Sequence, residues 1–203
     1  MRPSQRSGAA PGPRPRPAAP RRRTQAERRS ATSSLLLEAA IACLVERGYA
    51  ATTTLEVARS LRRQRRLTVI TNSLLALNEL ADAPDTTLVG LGGLLRRSEM
   101  SFIGHITEQA LAEVRADKVI IGIRAIDAEQ GLTNDFLPET MTDRAIMRIA
   151  REVIVVADHS KCGRVSAAFV APLSAMRTLV TDSGTPPEFV DALTTQGIRV
   201  VVV

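Results

Sequence analysis

From about residue 67 onward, short β-branched runs alternate with longer segments whose apolar residues recur every three to four positions. The runs are Leu67–Thr71, Thr87–Leu91, Lys118–Ile123, Val153–Ala157, Thr178–Thr181 and Ile198–Val203. Helices are predicted between them over 73–83, 105–115, 138–150 and 186–196. Runs this apolar suit strands buried on both faces, and an intervening helix is the crossover that parallel strands need. The pattern therefore predicts an α/β fold, a parallel sheet with helices on both faces. Right-handed crossovers gather the strand C-termini at one edge, where ligands bind in such sheets.

The front of the chain reads differently. Residues 24–47 carry Leu36, Ala39, Ala40, Cys43 and Leu44 at helical spacing, with Thr32 or Ser34 as a cap and Gly48 as the stop. A second helix is expected to begin at Thr52–Thr54 and run through Leu55, Val57, Ala58 and Leu61. Residues 1–23 interleave Pro3, Pro11, Pro13, Pro15, Pro17 and Pro20 with Arg, Ala and Gly. That stretch is too polar and too broken to bury a face, and it is expected to be a disordered tail.

Composition narrows the picture. Of 203 residues 44% are hydrophobic but only 2% aromatic, so Val, Leu, Ile and Ala must fill the core. The length suits one full core plus a small helical module. No apolar run approaches the ~18 residues of a membrane span, and the Arg- and Pro-rich start is expected to hold no secretory signal. Cys43 and Cys162 lie far apart. They suggest a reducing, cytoplasmic setting with neither a disulfide framework nor a zinc site. The net charge of +6 is uneven: residues 1–66 hold 15 Arg against 4 Glu, and the remainder is net acidic. A basic front suggests nucleic acid, and an acidic body suggests another partner.

Candidate chemistry clusters at the predicted strand ends. Leu67–Thr71 leads into Asn72 and Ser73, and Thr87–Leu91 ends at Gly92 and Gly93. Lys118–Ile123 contains Gly122 and leads to Asp127, Gly131 and Thr133, and Val153–Ala157 ends in Asp158-His159-Ser160-Lys161. Small residues, hydroxyls and one lysine near helix N-termini suit a phosphate or polyol cradle. Thr52, Thr53 and Thr54 add hydroxyls and free N–H groups of the same kind. Singly, each also reads as a turn, a cap or a solvated lysine; their shared edge favours a ligand site. No Ser/His/Asp or Cys/His arrangement is present, His105 and His159 are isolated, and no residues show metal spacing. No catalytic residue, metal or cofactor is therefore assigned.

The segments TTTLEVARSLRRQRRLTVITNSLLALNELA, LVGLGGLLRRSEMSFIGHITEQAL, ADKVIIGIRAIDAEQGLTN and REVIVVADHSKCGRVSAAFVAPLSAMRTLVTD resemble the effector domain of DeoR/GlpR-type transcriptional regulators. The resemblance covers residues 52–203 and implies a fold similar to ribose-5-phosphate isomerase and CoA-transferase domains. It implies a bacterial repressor that senses a phosphorylated sugar or related metabolite, as a homo-oligomer. The matching positions are Thr52, Thr53, Thr54, Asn72, Gly92, Gly93, Gly122, Asp127, Gly131, Thr133, Glu139, Asp158 and Lys161. By resemblance, threonines and glycines surround the phosphate, and Asp127, Glu139 and Lys161 face the rest of the ligand.

Two departures stand out. The family's strand of the type DTVFLDAG before the threonine run is replaced by Arg47-Gly48-Tyr49-Ala50-Ala51, and no winged helix-turn-helix segment precedes it. Instead, residues 24–58, led by Arg21, Arg22 and Arg23, resemble the opening of a TetR-type DNA-binding domain without its recognition helix. Arg21, Arg22, Arg23, Arg28 and Arg29 are the candidate DNA contacts, suited to phosphates rather than bases. The alternatives are a fusion or truncated remnant that binds ligand without specific DNA binding, and an isomerase-like enzyme.

Overall fold

The structure, a computed structural model, describes residues 54–203. The expectations that fall on residues 1–53, among them Thr52, Thr53 and Arg21, Arg22, Arg23, Arg28 and Arg29, lie outside the described residues. So do the tail, the helix over 24–47 and Cys43.

The first described element is helix α1 (Thr54–Leu61), followed by β1 (Leu67–Thr71), α2 (Leu74–Leu80) and β2 (Thr86–Gly90). Strands β1 and β2 pair in parallel, Leu67 opposite Thr86 and Thr71 opposite Gly90. Helix α2 is the crossover. Ser73 caps it, its Oγ accepting from the Ala76 N–H at 3.3 Å, which satisfies one of the helix's orphan donors.

A short antiparallel hairpin follows, β3 (Leu94–Arg96) with β4 (Ser101–Ile103), and then α3 (His105–Ala112) and β5 (Ala116–Gly122). After β5 come β6 (Ala125–Asp127), β7 (Gly131–Asn134), α4 (Leu137–Ile149) and β8 (Ala150–Val156). The chain ends with β9 (Ala168–Ala171), β10 (Thr178–Thr181), α5 (Pro187–Thr195) and β11 (Arg199–Val202). Strands β5, β8, β10 and β11 form a four-stranded parallel sheet in the order β11-β10-β8-β5. A separate sheet of β6, β7 and β9 is antiparallel.

Period-2 side-chain alternation sorts the core onto the two sheet faces. Val153 and Val155 of β8 and Leu179 of β10 join the main core with Leu111 of α3, Met147 of α4 and Leu193 of α5. Ile154, Val156 and Val180 point the other way into a smaller cluster with Ile120 and Val201. On β1, Val69 packs against α1 and α2 while Ile70 packs against the main core. Helices therefore flank the parallel strands as the hydrophobic pattern predicts, α3, α4 and α5 through the main core and α1 and α2 against β1, while the second cluster of the four-stranded sheet holds no residue of a described helix.

The six predicted strands are all present, displaced by at most a few residues, and so are the four helices. The hairpin and the antiparallel sheet are additions. They are only three or four residues long, too short for local periodicity to announce their pairing. Gly131 shows why one glycine is needed there: its φ is 78°, and a Cβ would sit 2.5 Å from the Ala171 carbonyl oxygen of neighbouring β9.

Candidate functional site

A cleft of about 630 Å³ runs between β1 and β5, bounded by α1 and by one face of α4. Its lower part is apolar, lined by Val57, Leu61, Leu67, Val69, Val119 and Ile121. Its upper part lies at the strand C-termini and is polar. There Asn72, Ser101, Gly122, Arg124, Asp143 and Lys161 converge, with Glu99, Asn134 and Glu139 beside them. The position is where an open α/β sheet takes its ligand.

Most polar groups at the rim are held by neighbours. The Arg124 guanidinium pairs with Glu99 at 3.0 Å and its backbone N–H donates to Asn134 Oδ1 at 3.1 Å. The Asn134 amide then donates to Asp143 Oδ2 at 2.5 Å. Arg96 pairs with Glu139 and lies over the Phe136 ring, 4.4 Å from its centre. The Asn72 side chain donates to the Phe102 carbonyl at 2.9 Å, tying the end of β1 to β4.

Two groups stand out against this mutual satisfaction. Ser101 Oγ is buried with no hydrogen-bond partner among the described residues. An unsatisfied buried hydroxyl costs about 1–3 kcal/mol, which an incoming polar ligand would offset. Asp143 is 8% exposed, and burial, reinforced by the nearby Glu139 charge, pushes its carboxyl up to about 7. The hydrogen bond from Asn134 and the more distant Arg96 charge oppose that shift without cancelling it. Asp143 thus changes charge near neutrality while facing the cleft.

Five of the sequence candidates line the cleft: Thr54, Asn72, Gly122, Glu139 and Lys161. The remaining described ones lie elsewhere and have other partners. Gly92 accepts from Thr107 Oγ1 at 2.7 Å through its carbonyl, and a Cβ on Gly93 would meet that same Oγ1 at 2.2 Å. Asp127 accepts from the N–H groups of Glu129 and Gln130, both at 2.9 Å, closing the β6–β7 turn. Thr133 is buried and accepts from the Ser166 N–H at 2.8 Å, and Asp158 caps the 3-10 turn His159–Lys161. Gly131 belongs to the close approach of β7 to β9.

Five of these rim residues went unread in the sequence: Glu99, Ser101, Arg124, Asn134 and Asp143. A signal existed for Asp143. It follows Glu139 by four residues, which puts both carboxylates on one helix face. Asn134 directly follows Gly131-Leu132-Thr133, but only the fold brings it over Asp143.

Burial pushes the Cys162 thiol up, so it is not activated toward thiolate. His159 Nδ1 contacts Asp182 at 2.7 Å, away from the cleft lining. Among the described residues no group of three His, Cys, Asp or Glu side chains is placed to hold a metal ion. None of the described helices is long and apolar enough to cross a membrane.

Comparison with known proteins places this geometry. Residues 49–183 match the family described as the DeoR C-terminal sensor domain. A putative aga operon transcriptional repressor of Escherichia coli O157:H7 is 32% identical over 152 residues, covering 75% of this chain and 56% of that protein. The transcriptional repressor AccR of Agrobacterium fabrum is 36% identical over 137 residues, covering 67% and 53%. The glycerol-3-phosphate regulon repressor of Escherichia coli K12 is 32% identical over 148 residues, covering 73% and 59%. The chain spans little more than half the length of these curated relatives. The match begins before α1, so the residues of α1 that also fit a TetR-type opening lie within the sensor match. With its parallel strands, polar C-terminal cleft and matched residues, the chain belongs to the DeoR C-terminal sensor domain family.

Proposed function

We propose that this chain acts as the effector-sensing part of a cytoplasmic, DNA-binding transcriptional repressor, and that the β1–β5 cleft binds a phosphorylated sugar or related metabolite. The observation that carries this reading is the convergence of Lys161, Arg124 and the orphan hydroxyl of Ser101 at the strand C-termini. Lys161 supplies a positive charge for a phosphate, while Asn72, Asp143 and Ser101 suit hydroxyls on the rest of the ligand. The relatives are themselves transcriptional repressors, which supports the repressor role, and one of them is the repressor of a glycerol-3-phosphate regulon. Thr52 and Thr53, with Thr54, complete the phosphate side in this reading, and the active form is a homo-oligomer.

A thermal-shift screen of glycerol 3-phosphate, ribose 5-phosphate and amino-sugar phosphates tests the proposal. A ligand binding only the folded state stabilises it by about 2.7 kcal/mol at a hundredfold excess over its dissociation constant. Lys161→Ala should abolish the shift without lowering the melting temperature of the free protein. No shift with any phosphorylated compound would sink the sensing role, and turnover of one would turn the reading toward an isomerase-like enzyme. The DNA contribution is separate. Arg21, Arg22, Arg23, Arg28 and Arg29 supply sequence-tolerant phosphate contacts, so retention in a mobility assay should fall steeply with salt and hardly vary with DNA sequence.

A further inference from the structure

Most charged groups that line the cleft are already paired. Arg124 pairs with Glu99 and Asp135, and Arg96 beside it pairs with Glu139 and Glu99. Lower down, Lys118 pairs with Glu152, and the Arg115 guanidinium donates to the Ala112 and Val114 carbonyls. Asp117 is engaged as well. Two lining groups of opposite sign remain. Among the described residues Lys161 and Asp143 form no ion pair, with each other or with a neighbour. Asp143 is only 8% exposed, and its one side-chain partner is neutral. Asn134 Oδ1 accepts the Arg124 backbone N–H at 3.1 Å, which turns the Asn134 amide nitrogen toward Asp143 Oδ2. The other carboxylate oxygen, Oδ1, is left for a ligand.

We propose that the effector carries an ammonium group as well as its phosphate, the ammonium donating to Asp143 Oδ1 and the phosphate facing Lys161; an amino-sugar phosphate is such a compound. The assignment rests on the phosphate reading of this cleft and narrows it. A buried carboxylate held by one amide is costly, because burial and the Glu139 charge disfavour its ionised form. Arg96, committed to Glu139, is the weakest influence on it. A charge placed this way weakens folding, whereas a ligand that brings its own cation removes the cost. A ligand hydroxyl would bond to Asp143 and leave the charge uncompensated. An ammonium brings the charge and three donors, and Ser101 Oγ in the same rim is a further acceptor. A divalent metal needs a set of oxygen ligands that one carboxylate does not make, and no three His, Cys, Asp or Glu side chains gather for one among the described residues.

Calorimetric titration of the full chain at neutral pH, with a chelator present, compares compounds that differ only by an amine in place of a hydroxyl. The pairs are glucosamine 6-phosphate with glucose 6-phosphate, and galactosamine 6-phosphate with galactose 6-phosphate. At least one amine should bind about tenfold or more tightly than its hydroxyl twin, the gain of one charge-assisted hydrogen bond. Asp143→Asn keeps the shape of the side chain and removes its charge, so it should shrink that ratio to about twofold or less. The comparison of twins on the unaltered chain decides even where the variant is unstable. Equal binding within each pair, or a preference that Asp143→Asn leaves intact, overturns the ammonium assignment and leaves the phosphate reading standing. Binding of none of these compounds, nor of glycerol 3-phosphate or ribose 5-phosphate, defeats the phosphate reading and this assignment with it.

Discussion

Replacing Asp143 by asparagine should remove a pH dependence from the stability of this protein. The carboxyl is 8% exposed on α4, accepts from the Asn134 amide at 2.5 Å, and is pushed from an ordinary 3.8 up to about 7 chiefly by burial. The folded state therefore holds a proton that the unfolded chain releases between these two values. Stability is fully present below pH about 4 and is lost as pH rises through about 7. The span between the two values corresponds to a loss on the order of 4 kcal/mol above pH 7. Asparagine carries no charge to desolvate, and its Oδ1 can still accept from Asn134. The variant should thus be the more stable protein at pH 8 by roughly 2–4 kcal/mol and close to the parent at pH 4.5. Urea unfolding at pH 4.5, 6, 7 and 8 measures the difference. A stability gap that does not change with pH would refute the reasoning, since it would mean that Asp143 is ionised in the folded state throughout.

Two further outcomes follow from packing. Gly131→Ala should destabilise by at least 2 kcal/mol in urea unfolding, because it adds positive-φ strain of about 1–2 kcal/mol to a Cβ placed 2.5 Å from the Ala171 carbonyl oxygen; a cost under 1 kcal/mol would mean that β7 and β9 can separate. Leu193→Ala, at a fully buried position on α5, should cost about 2–5 kcal/mol in the same assay, and a loss below 1 kcal/mol would remove α5 from the core.

The candidate site was only partly legible. Lys161, Asn72, Gly122, Glu139 and Thr54 are recognisable because each sits next to a strand end or a helix start, so a correct strand assignment carries them to the right edge. Asp127, Gly131, Thr133, Gly92 and Gly93 looked the same by that rule. Their surroundings are set by the hairpin and by the antiparallel sheet, where they close turns or make room for a neighbouring backbone. A glycine required for close approach cannot be told from one that cradles a phosphate without knowing what approaches it.

The parallel strands and their connecting helices are written locally. Runs such as Val153–Ala157 and Thr178–Thr181 are β-branched and apolar on both faces, and the 138–150 segment keeps a helical period, so neighbouring residues alone dictate those elements. What lies across the sheet is not local. The pairing of β7 with β9 joins residues more than thirty positions apart, and the convergence of Ser101, Arg124, Asn134 and Asp143 needs four separate elements to meet. Local periodicity reports which face of an element is apolar, whereas register, neighbours and burial depend on contacts that exist only once the chain has closed on itself.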